Sequence, residues 1–81
     1  MEQLFKQAIQ YVKEHKDWSD AEEQVALEKI DHYRCNIDFA APSISDKIHD
    51  LMEEFSDEND LPEGWWYEFG DEDDIFFALG D

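Results

Sequence analysis

The last quarter of this chain joins its largest apolar side chains to its densest negative charge, and that pairing constrains the fold more than any other feature. Gly64 to Gly80 holds half of the aromatic residues, Trp65, Trp66, Tyr67, Phe69, Phe76 and Phe77, beside Glu68, Asp71, Glu72, Asp73 and Asp74, with no base among them. Each large ring buries about 150–250 Å² when it enters a core. A chain of 81 residues forms one domain, residues 1–81, and buries only about 60% of its unfolded surface. Such a domain has to use most of these rings, so the C-terminal segment is expected to close the core.

The rest of the chain is patterned for helices. Leu4, Phe5, Ala8, Ile9 and Val12 recur at helical spacing over residues 3–15. Lys13, His15 and Lys16 fall at the end of that helix, where positive charge complements the dipole. Ser19 followed by Glu22 has the spacing of a capping box and predicts a second helix from Asp20, with Ala26, Leu27, Ile30 and Tyr33 on its apolar face. Cys35 to Pro42 breaks the pattern and reads as a loop from which Ile37 and Phe39 plug the core. Ser43 or Ser45 is expected to cap a third helix with the stripe Ile44, Ile48, Leu51, Met52 and Phe55, closed by Asn59.

Leu61-Pro62-Glu63-Gly64 suits a type I turn. Trp65 to Phe69 is expected to lie as an extended hook across the helices, and Asp71 to cap a short last helix over Glu72 to Leu79, stopped by Gly80. The fold class that follows is all-α: a small domain of three to four helices, with an aromatic C-terminal hook and a short last helix closing the core. Leu4, Ile9, Val12, Ile30, Ile48, Leu51, Phe55, Phe76 and Leu79 are the expected core.

Composition excludes several functions. The formal net charge is −17, and residues 51–81 carry twelve acids and no base. That field repels nucleic acid and anionic lipid and attracts basic surfaces. The longest apolar run, Ile75 to Leu79, is far short of the roughly 20 residues of a membrane span. One cysteine permits no internal disulfide and the N-terminal residues lack the apolar run of a signal peptide, which together predict a cytoplasmic protein.

No constellation of catalytic or metal-ligating residues survives a test of spacing. Counted from Asp71 as the first position of a calcium loop, the sixth position is Phe76 rather than glycine, and in Asp57 to Pro62 a ligand position is Leu61. His32 and Cys35 have helical spacing, but zinc needs four ligands and a nucleophilic cysteine needs an orienting partner, neither of which is identifiable. The equal spacing of His15, His32 and His49 is not matched by the neighbouring apolar residues, so it marks no repeat. The expected protein is not an enzyme and takes no cofactor or metal.

Two features point to a binding role. Asp46, Asp50, Glu53 and Asp57 form a row on the third predicted helix opposite its apolar stripe. Like charges at these spacings destabilise a helix by about 0.2–0.5 kcal/mol per pair, and acids near a helix C-terminus oppose its dipole, so stability alone does not favour the arrangement. Against this stands the simpler reading that an exposed face collects charge for solubility. The second feature is the pair Trp65 and Trp66: adjacent tryptophans do not easily both point into a small core, so either one is core while the other shields a helix edge, or Trp66 is exposed as a contact residue. The expected function is an acidic protein-interaction module for a basic protein surface, itself a monomer or weak dimer. The alternative is a nucleic-acid mimic that occupies a nucleic-acid-binding protein, because neighbours along such a row stand about 5–6 Å apart, comparable with phosphate spacing. In size and charge the chain resembles small acidic inhibitors and accessory proteins of phages and mobile elements; the likeness rests on no motif and carries no residues across.

Overall fold

The computed structural model describes residues 2–80, and among them the chain is all-α. Five helices follow in order: α1 Glu2–His15, α2 Asp20–Tyr33, α3 Ile37–Ala40, α4 Pro42–Glu58 and α5 Glu72–Ala78, with a 3₁₀ turn at Trp65–Glu68 between the last two. α4 is the central element and packs on α1, α3 and α5, whereas α2 makes its main helix contact with α3.

Local chemistry accounts for most helix ends. Ser19 Oγ accepts the Glu22 N–H at 3.2 Å, which is one half of the expected capping box, and Asn59 ends α4. Asp71 and Asp74 form a complete box at the start of α5, each carboxylate accepting a backbone N–H at 3.2 Å. Trp18 precedes the cap of α2 and is buried; its Nε1 donates to Glu23 at 2.8 Å, and Glu23 also receives Lys16. Trp18 is a core residue outside the expected set: it holds the place of a staple residue just ahead of the N-cap, but the fourth helical residue it meets is Glu23, through a hydrogen bond rather than an apolar contact.

The core is built from Ala8 and Val12 of α1, Ala26 of α2, Ile44, Ile48, Met52 and Phe55 of α4, Trp65 and Trp66, and Ile75, Phe76 and Leu79. Of the nine residues expected there, Val12, Ile48, Phe55, Phe76 and Leu79 are buried, and Leu4, Ile9, Ile30 and Leu51 are half-buried against its edge.

Several expectations require correction. The stretch read as a loop contains α3, a single helical turn capped by Asn36, whose side chain accepts the Phe39 N–H at 3.2 Å. Residues two apart on one turn point about 200° apart, so only one of Ile37 and Phe39 enters the core. Ile37 does, and Phe39 is 71% exposed. Neither Ser43 nor Ser45 caps α4: Ala41 is its N-cap and Pro42 its first residue, a position where the missing N–H costs nothing. Ser45 is instead buried, with its hydroxyl on Asp38.

The turn before the aromatic segment is Pro62 to Trp65, one residue later than expected, closed by the Trp65 N–H on Pro62 O at 3.2 Å. Gly64 takes φ +75° and ψ 9°, the third-position geometry of a type II turn, which favours glycine there. Trp65 to Phe69 is then wound rather than extended. Tyr67 N–H bonds Gly64 O at 3.1 Å, and Phe69 N–H bonds Trp66 O at 2.9 Å. Gly70 lets the chain approach Asp74 of α5 and Phe5 of α1 closely, because a Cβ there would lie 2.9 Å from Asp74 Cβ and 3.2 Å from the Phe5 ring.

Candidate interaction surface

The apolar stripe of α4 turns Ile44, Ile48, Met52 and Phe55 inward, which leaves Asp46, Asp50 and Asp57 exposed. None of these three carboxylates has a hydrogen bond or ion pair among the described residues. Glu53, the other member of the expected row, behaves differently: it is half-buried and accepts Trp66 Nε1 at 3.2 Å. The row is thus interrupted at its centre. Asp50 and Asp57 are seven residues apart, a rise of about 10.5 Å along the helix.

Trp66 is 0% exposed, so the contact role expected of it has no surface to act through. Winding the segment into a 3₁₀ turn, instead of alternating it as a strand, directs both tryptophans at α4. Trp65 Nε1 donates to Ser56 Oγ at 2.6 Å as Trp66 Nε1 donates to Glu53. Both indole N–H groups therefore find acceptors on one helix, three residues apart. The aromatic residues of the segment that reach solvent are Tyr67 and Phe69, 47% and 37% exposed, and Tyr67 is stacked on Trp66 with ring centroids 4.0 Å apart.

Tyr67 belongs to a polar cluster that joins three elements. Its hydroxyl donates to Glu72 Oε1 at 2.5 Å and lies 3.2 Å from His49 Nδ1, which is 3.4 Å from the same carboxylate. Desolvation holds the Tyr67 phenol far above its usual range, and the Glu72 hydrogen bond and the charges of Glu72, Glu53 and Asp38 push in the same direction. The phenol is therefore a donor at every ordinary pH, fixing Glu72 in place rather than serving as a base. Close by, Asp73 accepts the Ile37 N–H at 2.5 Å; burial raises its carboxyl above the usual range, while that hydrogen bond pulls the other way.

The remaining chemical candidates are dispersed. Cys35 is a half-buried thiol on Lys29 O at 3.7 Å, and His32 stands edge-on to Tyr33 at 4.7 Å. Among the described residues no group of three or more His, Cys, Asp or Glu side chains is arranged to hold a metal ion, and no helix is long and apolar enough to cross a membrane. Lys16 pairs with Asp20 and Glu23, Lys47 pairs with Asp17 at 2.9 Å, and His49 faces Glu72. Comparison with protein-family models, curated proteins and solved structures finds no match to this chain.

Proposed function

We propose that this protein is a non-enzymatic interaction module that binds a basic surface of another protein through the exposed acids of α4. The observation that supports this reading is the set of Asp46, Asp50 and Asp57, held in solvent on the central helix with no ion pair among the described residues. α4 has no base in its last turn, and Glu54, Asp57 and Glu58 gather at the end where the dipole already disfavours them. Glu54 accepts the Tyr11 hydroxyl at 3.4 Å, but the carboxylates of Asp57 and Glu58 gain no partner among the described residues, and such an arrangement is better suited to an external one. Mimicry of nucleic acid draws less support, because a regular phosphate-like spacing needs Glu53, which is engaged with Trp66.

The test is the variant Asp46→Asn/Asp50→Asn/Asp57→Asn, with Glu53 left in place. Relief of like-charge repulsion should leave its stability equal or slightly higher. Immobilised wild-type protein should retain basic proteins at low ionic strength and release them steeply as salt rises, and the variant should retain them weakly with a shallower salt dependence. Equal retention by the two proteins at every salt concentration would refute the assignment of the surface to α4.

A further inference from the structure

A groove of about 440 Å³ runs between α2 and the start of α4. Its floor is the buried trio Ala26, Ala40 and Ile44, and its α2 wall is the row Ala21, Val25 and Lys29, four residues apart on one face. Val25 is 51% exposed although it borders this apolar floor. The groove exists because α2 packs mainly on the four-residue α3, so its flank toward Pro42 and Ser43 at the start of α4 is left open. The volume lies within the range of about 300–1,000 Å³ typical of binding clefts.

Charge selects the occupant. Glu22 lines the α2 wall, and Asp46 and Asp50 follow Pro42 at successive four-residue steps, so the unpaired acid row of α4 leads away from the opposite wall. Lys29, at the far end of the α2 row, is the lone base among the lining residues. A net charge of −17 opposes a second copy of this chain or any acidic segment. An extended peptide would need the edge of a sheet or, for a polyproline segment, an aromatic-lined groove; there is no strand among the described residues, and no aromatic residue lines this groove. Two walls supplied by helical residues, over a floor containing two alanines, instead suit the apolar ridge of a third helix.

We infer that this groove seats a basic amphipathic helix presented by the partner protein, apolar residues on the floor and lysine or arginine against Glu22, Asp46 and Asp50. The inference rests on the reading that the partner is basic, and it adds the site and form of the partner segment. The probe is an 18-residue peptide of leucine and lysine patterned with helical period, compared by calorimetry at low salt with a scrambled peptide of equal composition. The patterned peptide should bind at least tenfold more tightly, and amide shifts should concentrate at Ala21, Val25 and Ser43.

The decisive variant is Val25→Glu, with its fold checked by circular dichroism. Simple charge attraction predicts tighter binding to the more acidic variant, whereas loss of the apolar wall predicts binding at least tenfold weaker. Equal affinity for both peptides, or undiminished affinity of Val25→Glu, would overturn the groove while leaving the charge reading of α4 intact. Failure of both peptides to bind at low salt would remove the charge reading as well.

Discussion

Ser56→Ala tests how the aromatic turn is held. Ser56 is 1% exposed, and its hydroxyl donates to Met52 O at 2.8 Å while accepting Trp65 Nε1 at 2.6 Å. Removing the hydroxyl leaves Met52 O with its helical partner but strands the indole N–H, since Trp65 is only 7% exposed. A buried donor left without a partner costs about 1–3 kcal/mol. Alanine returns about 0.5 kcal/mol through its higher helix propensity, so the net loss should be about 0.5–2.5 kcal/mol. In a domain of this size each kcal/mol moves Tm by about 4–8 °C, and the expected fall is about 2–20 °C. Urea unfolding followed by far-UV circular dichroism measures it without relying on the tryptophan signal. The Trp65→Phe background supplies the control. With no indole N–H to strand, Ser56→Ala should there be nearly neutral, giving a coupling of about 1–3 kcal/mol between the two sites. An equal cost in both backgrounds would show that the Ser56 to Trp65 bond does not hold the turn.

Two further perturbations address the charged network. Because burial raises the folded-state pKa of Asp73, the folded protein keeps this proton to a higher pH than the unfolded chain, and the resulting contribution to stability fades as pH rises through the raised value. Asp73→Asn, which retains an acceptor for the Ile37 N–H, should therefore match or exceed wild-type stability at pH 7, with the difference shrinking as pH falls toward 4; lower stability at pH 7 would contradict this. Glu23 receives both Lys16 and Trp18 Nε1, so Glu23→Ala should cost about 1–3 kcal/mol in urea unfolding. The Glu23 hydrogen bond raises the Lys16 pKa, so the pair's contribution is present below the ordinary lysine pKa and disappears as pH climbs through the raised one. Wild type should lose more stability than Glu23→Gln between pH 9 and pH 12, and parallel profiles would contradict that.

What the sequence made legible was whatever depends on near neighbours. Ser19, Asn59 and Asp71 end or begin helices through bonds to residues within four positions, and their chemistry can be read from the chain. The stripe of α4 was equally plain, because seventeen residues give a period time to declare itself. α3 has a single turn and no period to display, and its burial of Ile37 rather than Phe39 is decided by where α4 and α5 stand. Ser45 looked like a cap because its partner Asp38 lies seven residues back, beyond local pattern. The candidate site shows the same division. Exposure of Asp46, Asp50 and Asp57 followed from helical phase, but the loss of Glu53 to Trp66 depended on a 3₁₀ winding that adjacent aromatic residues do not announce. The groove beside α2 was invisible because it is the space left between two helices, and no residue type encodes it.

The narrow support of α2 divides the molecule into tiers of hydrogen exchange. α4 is gripped from three sides, and amides such as those of Ile48 and Met52 should exchange only when the whole domain unfolds. α2 buries Ala26 fully and leans on a helix of one turn, and the left-handed Arg34 at its end, φ 53°, marks a natural boundary for a separate opening. Its amides should exchange through a sub-global event that leaves α1, α4 and α5 assembled, so the wall of the groove moves on a softer free-energy scale than its floor.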